Sequence, residues 1–196
     1  MRLYLASQSP RRRELLLQLG LDHELVAPAV DESLLPGESA AAYVERLARR
    51  KALAGKAALP PATPAVVIGA DTCVVVDGEI LGKPDDATAA AAMLRRLAGR
   101  THQVLTGVAV AQGETLLARV SVTDVMMIAL SEADIAAYCA TGEPLDKAGA
   151  YGIQGRAAAF ISRIEGSYSG VVGLPLCETA ELLKLAGYGA GRGRGA

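Results

Sequence analysis

Ala65-Val66-Val67-Ile68-Gly69-Ala70 is an unbroken apolar run, and Asp71-Thr72 follows it directly. A run of this length fits a strand covered on both faces, as in a sheet with helices above and below it. A carboxylate at the carboxyl end of such a strand stands where α/β folds usually place their ligands. Downstream, Cys73 to Val76 and Glu79 to Leu81 flank Asp77-Gly78, a two-residue hairpin signal. Upstream, Leu3 to Ala6 reads as a strand, followed by a helix to Leu19 that Ser9 can cap, Pro10 can open and Gly20 stops. A short strand near Glu24 to Ala27 and a helix over Ser39 to Ala57 precede the breakers Pro60, Pro61 and Pro64. Beyond the hairpin come an alanine-rich helix over Asp86 to Leu97 and a long antiparallel pair, His102 to Ala111 and Thr115 to Leu130. Ser131 can cap a helix to about Thr141, and a last helix spans Cys177 to Ala186. Strands alternating with helices predict an α/β fold.

The chain has 196 residues, a length for one domain or two tightly fused lobes, with no internal repeat and no interior linker. Hydrophobic residues make up 51% and charged residues 21%, the balance of a globular protein rather than a disordered one. A net charge of -1 and only 4% aromatic residues argue against a nucleic-acid binder built on basic patches or stacked bases. No apolar run approaches the length of a membrane span, and Met1 to Leu5 turns polar at Ser7-Gln8-Ser9 before a signal-peptide core can form. Cys73, Cys139 and Cys177 have neither disulfide nor zinc spacing and read as small buried thiols in a reducing compartment. A soluble cytoplasmic domain over residues 1–186 is expected, with a flexible Gly/Arg-rich tail over 187–196.

Charged residues interrupt the apolar faces. On the first helix Leu15, Leu16 and Leu19 form a stripe whose backward continuation lands on Arg12. Arg11, Arg12 and Arg13 then crowd a helix amino terminus that already carries a positive dipole, a conflict that a bound phosphate relieves. Ser7, in the preceding turn, can add a hydroxyl donor; three solvated arginines paired with carboxylates are the alternative. Lys51 extends the Val44, Leu47, Ala48 face of the second helix, where an isolated lysine would snorkel to water. Pro84 holds Lys83 extended, and Gly82-Lys83-Pro84 lacks the glycine spacing and following hydroxyl of a phosphate-binding P-loop. Asp71 can take a proton or coordinate a hard cation, and Asp31-Glu32 lies in the loop before the second helix. Asp85-Asp86 suits a helix start, Asp124 reads as a structural or interface residue, and His23 and His102 as structural histidines. Arginines, lysines and carboxylates of this kind together suit polyphosphate chemistry, in which charge is neutralised and water activated in line with phosphorus.

Read in order, several segments resemble the Maf family of nucleoside triphosphate pyrophosphatases. They are Leu5-Ala6-Ser7-Gln8-Ser9-Pro10-Arg11-Arg12-Arg13-Glu14-Leu15-Leu16, Gly69-Ala70-Asp71-Thr72 and Leu81-Gly82-Lys83-Pro84. Leu97 to Val104, Thr106-Gly107-Val108, Asp146 to Gly155 and Gly173-Leu174-Pro175-Leu176 complete the set. The resemblance implies a two-lobed α/β fold around a long mixed sheet flanked by helices, of the inosine triphosphate pyrophosphatase (Maf/Ham) type. It implies cleavage between the α- and β-phosphates of a nucleoside triphosphate with Mg²⁺ or Mn²⁺, a house-cleaning role, and a homodimer. By position Asp71 matches the proton acceptor, with Glu32 and Asp71 toward the metal and Ser7, Arg11, Lys51 and Lys83 around phosphate. Arg12, Thr72 and Gln154 match specificity positions and resemble the dTTP/UTP branch. The Gln154 amide can accept from uracil N3–H and donate to O4, and it discriminates against cytosine only if neighbouring groups fix its orientation. The family is also associated with division arrest, so a regulator of septum formation with nucleotide as ligand is the second reading.

Overall fold

The computed structural model describes residues 1–189. Seven strands, β1 (Arg2–Ala6), β2 (Glu24–Leu25), β3 (Ala65–Val76), β4 (Glu79–Leu81), β5 (Thr101–Gln112), β6 (Thr115–Met127) and β7 (Ile161–Glu165), form one mixed sheet. Its order is β2-β1-β3-β5-β6-β7, with β4 on β3. The helices are α1 (Pro10–Gln18), α2 (Ala40–Ala57), α3 (Ala87–Leu97), α4 (Glu132–Cys139), α5 (Tyr168–Val172) and α6 (Leu176–Leu185). The fold is therefore the expected mixed α/β sheet flanked by helices.

The chain divides into two compact units. The first comprises Met1–Asp71, Thr106–Ser121 and the stretch from Gly173 onward; the second comprises Thr72–Leu105 and Val122–Val172. In the first unit β1 runs parallel to β2 and to β3, with Arg2 opposite Ala65 and Ala6 opposite Gly69. Val66, Val67, Ile68 and Ala70 have no exposed surface, as an apolar run covered on both faces predicts. Helix α2 lies directly on the sheet because glycines admit it. A Cβ at Gly69 would stand 2.5 Å from Ala52 N and collide with Ala48 O, and one at Gly107 would collide with Val44 O. The Ser39 hydroxyl caps α2 through Ala42 N.

In the second unit β3 pairs antiparallel with β4 from Val74 opposite Leu81, and β6 pairs with β7 from Asp124 opposite Glu165. Asp86 caps α3 at Ala89 N, 2.7 Å away, and Ser131 and Asp134 form a reciprocal capping box on α4. Asp124 is structural, accepting from Gln103 Nε2 at 3.0 Å. His102 is buried with its Nε2 2.7 Å from the Tyr151 hydroxyl, and His23 Nδ1 lies 3.1 Å from Leu21 O.

Several expectations need correction. The strand does not end at Ala70: β3 continues without a break to Val76, so Asp71 is a mid-strand residue rather than a carboxyl-terminal one. Ser9 makes no side-chain cap; its N–H instead donates to Ser7 Oγ at 3.2 Å. Only Cys73 is a buried thiol, Cys139 being half-buried and Cys177 exposed. Elements unread in the sequence fill residues 143–172: short 3₁₀ turns at Glu143–Asp146, Ala148–Ala150 and Arg156–Phe160, then β7 and α5. Of the expected tail, Gly187 to Gly189 form a turn on α6 that buries Tyr188, and 190–196 lie outside the described residues.

Candidate active site

Asp71 is one of few charged residues in the core, 7% exposed. A carboxylate there needs a partner, because an isolated buried charge is strongly disfavoured. Lys51 supplies it: its Nζ stands 2.6 Å from Asp71 Oδ1 and 2.6 Å from Glu32 Oε1. The lysine that continues the apolar face of α2 therefore does not snorkel to water. It bridges two carboxylates from different elements, with its own side chain 13% exposed.

Along β3 the pairing with β1 ends at Gly69 and that with β4 begins at Val74, so Asp71 takes part in neither. Glu32 sits on an exposed loop that α2 itself straps down. Tyr43 OH donates to Glu32 O at 3.0 Å, Arg46 Nη2 to Ser33 O at 3.0 Å, and Arg50 Nη1 to Asp31 O at 3.2 Å. Asp31 turns the loop by accepting from Ser33 N at 2.9 Å and Ser33 Oγ at 2.6 Å, bonds that hold its carboxyl below the usual carboxylate range. One helix thus fixes both the ammonium and the second carboxylate it meets.

Arg12 enters from α1. Its Nε donates to Gly173 O at 2.6 Å and its Nη1 to Ser7 Oγ at 3.2 Å, which orients the planar guanidinium. Burial pushes the Arg12 pKa down, and the charges of Asp71 and Glu32 act against that shift, so the three groups share one electrostatic neighbourhood. Arg11, half-buried at the neighbouring helix position, adds a like charge that also lowers it. The first turn of α1 contains no acidic residue to balance the arginines. The Gly173 carbonyl is a site element that sequence reasoning missed; its only signal was the Gly173-Leu174-Pro175-Leu176 motif.

Of the expected site residues, Ser7, Arg12, Glu32, Lys51 and Asp71 are linked by these contacts and charges within the first unit, with Arg11 beside them. Thr72, Lys83 and Gln154 belong to the second unit. Thr72 is half-buried, next to Asp71 on β3. Lys83 is exposed just after β4, where Gly149 N donates to Gly82 O at 3.0 Å. Gln154 is exposed, between buried Ile153 and exposed Gly155.

No group of three or more His, Cys, Asp or Glu placed to hold a metal occurs among the described residues. Asp71 and Glu32 nonetheless meet at one cationic atom, and a magnesium-type ion commonly uses one or two carboxylates, completing its shell with water and phosphate oxygens. The donor set fits a cation that Asp71 and Glu32 would hold jointly with a phosphate ligand.

A strand-borne carboxylate held by lysine, beside an oriented arginine at an unbalanced helix amino terminus, is chemistry that suits an anionic, phosphate-bearing ligand. Residues 2–186 match the family described as Maf-like protein, and the chain belongs to that family. Among curated relatives, the dTTP/UTP pyrophosphatase of Chromobacterium violaceum is 56% identical over 191 residues, covering 95% of this chain and 96% of that protein. The dTTP/UTP pyrophosphatase of Salmonella typhimurium is 58% identical over 181 residues, covering 92% and 91%. Among solved structures, the Ham1 protein of Staphylococcus aureus aligns over 65% of this chain and 72% of its own, with a TM-score of 0.43 and 15% identity. The nucleoside-triphosphatase / dITP/XTP pyrophosphatase of Mycobacterium abscessus aligns over 65% and 73%, with a TM-score of 0.40 and 18% identity.

Proposed function

We propose that this chain hydrolyses nucleoside triphosphates, dTTP and UTP foremost, to the nucleoside monophosphate and pyrophosphate. The observation that carries the reading is the Lys51 ammonium 2.6 Å from both Asp71 and Glu32, beside the Ser7-anchored Arg12. The named activity of relatives above 55% identity over nine-tenths of the chain supports the substrate assignment.

Each residue has a distinct task in this reading. Asp71, held in place by its lysine, accepts the proton of the attacking water. Arg12 grips phosphate oxygens with its fork, and Ser7 holds that fork in register. Lys51 fixes the carboxylate before the substrate arrives and supplies positive charge near the phosphates, with Arg11 and Lys83 adding to it. Thr72 and Gln154 read the nucleoside. A divalent cation, Mg²⁺ or Mn²⁺, held by Glu32 and Asp71 would neutralise the triphosphate and polarise the bond that breaks. On the family resemblance the working form is a cytoplasmic homodimer, which light scattering checks.

The test is a panel of dTTP, UTP, CTP and 7-methyl-GTP with and without chelator, scoring pyrophosphate against orthophosphate, on the unmodified chain and Asp71→Asn. Pyrophosphate release that chelator abolishes, and that falls by roughly 10²-fold or more in Asp71→Asn at unchanged nucleotide affinity, is expected. Wild-type turnover in that variant would remove Asp71 from the mechanism.

A further inference from the structure

Reading uracil with an amide requires the amide to be held, because a flipped glutamine presents the pattern that suits cytosine. Gln154 itself is exposed, and where its amide stands depends first on the backbone that carries it. That backbone is a turn, Gly152-Ile153-Gln154-Gly155, closed by Gly155 N donating to Gly152 O at 3.0 Å and anchored by buried Ile153.

Both ends of the turn are tied to a single pair of side chains. At its start, Gly152 N donates to the Tyr138 hydroxyl at 3.3 Å. Just past its end, Arg156 N donates to Glu143 Oε2 at 3.2 Å. The pair is itself joined, Tyr138 OH donating to Glu143 Oε1 at 2.9 Å. Tyr138 is 3% exposed and its ring meets Phe160 edge-on, with centroids 5.4 Å apart, so the hydroxyl has little freedom. Lys147 Nζ donates to Glu143 O at 2.7 Å, which locks the segment bearing the carboxylate. The two glycines bounding the turn press on these groups. A Cβ at Gly155 would collide with the Glu143 carboxylate, and one at Gly152 would stand 2.5 Å from Lys147 Cε.

We propose that Tyr138 and Glu143 are positioning residues that fix the turn presenting Gln154, and thereby set the discrimination between uracil and cytosine nucleotides. The proposal rests on the reading of Gln154 as the base-contacting residue. Neither side chain need touch the nucleotide. Tyr138→Phe keeps the ring and its packing on Phe160 while removing the hydroxyl shared by Gly152 and Glu143. Glu143→Gln keeps the shape and replaces one of the two acceptor oxygens by a donor NH2.

The experiment measures kcat/KM for UTP and CTP in the full chain, for Tyr138→Phe, Glu143→Gln, Gln154→Ala and the Tyr138→Phe/Gln154→Ala double variant, with thermal unfolding of each. Tyr138→Phe is expected to lower the UTP-over-CTP preference roughly tenfold, and Glu143→Gln by a smaller factor. In the Gln154→Ala background Tyr138→Phe should change the preference by less than about twofold, because the group it orients is gone. A preference unchanged in both single variants while Gln154→Ala abolishes it overturns the positioning role. So does an equal loss from Tyr138→Phe with and without Gln154. If Gln154→Ala leaves the preference intact, or the unmodified chain shows none, the base-reading assignment fails and takes the positioning role with it. Should Tyr138→Phe not fold, the Glu143→Gln ratio decides alone.

Discussion

Gly69→Ala tests whether the site depends on how closely α2 approaches β3. The new Cβ would stand 2.5 Å from Ala52 N, where real Cβ atoms keep to 3.0 Å or more, and would collide with Ala48 O. Both obstacles are helix backbone, which has no rotamer to yield, so α2 must retreat by about half an ångström or more. Overpacking of this kind costs roughly 1–3 kcal/mol. For a chain of this size that lowers Tm by roughly 2–12 °C. Ala52 directly follows Lys51, so the displacement reaches the ammonium that bridges Asp71 and Glu32. A misplacement of about 1 Å near reacting groups costs on the order of 10²-fold, so half of it should lower kcat/KM roughly tenfold. Calorimetric unfolding and pyrophosphate release, measured on the same preparation, check both numbers. A variant that unfolds at the parental temperature and turns over at the parental rate would refute the claim that glycine is there to seat α2.

Other outcomes follow from contacts already described. Lys51→Met strips Asp71 of its cation in a site where the two side chains are 13% and 11% exposed. Breaking one partner of such a pair costs about 3 kcal/mol, and urea denaturation should show it alongside a collapse of turnover; an unshifted midpoint contradicts the pairing. Burial pulls the His102 pKa down to about 4, so the folded state prefers the neutral ring. Its contribution is therefore complete above the unfolded value near 6.5 and fades as pH falls toward 4, by roughly 3 kcal/mol in all. Ion-paired carboxylates such as Asp77, whose pKa Arg100 lowers, act at more acidic pH, so replacing His102 by Asn should flatten stability between pH 6.5 and 5 in a urea series. A thiol reagent should modify exposed Cys177 first and reach buried Cys73 only on unfolding, as peptide mass mapping would show.

Helix α2 was readable because its apolar period and Ser39 are local features, and the turn at Asp77-Gly78 because it depends on two residues. The continuation of β3 was not. Asp71-Thr72 looks like the polar end of a strand, since what makes a carboxylate tolerable there is a lysine twenty residues earlier on another element. Lys51 and Arg12 stood out as charges on apolar faces, and that anomaly led correctly to groups with partners. The Gly173 carbonyl left no chemical trace, because a backbone acceptor for Arg12 can belong to any residue. Residues 143–172 resisted reading for a related reason. Short 3₁₀ turns carry little periodicity, and the geometry around Gly152 and Gly155 depends on the Glu143 carboxylate rather than on local propensity.

Three of the four points where the chain changes unit, 71/72, 105/106 and 121/122, fall inside β3, β5 and β6 rather than in loops. Neither half can therefore be excised as a fragment or circularly permuted at those points without severing a strand. Because Asp71 rides on one of these strands, pyrophosphate release and the cooperative melting of the chain should be lost at a single temperature, and amides along β3 should resist deuterium exchange until that point.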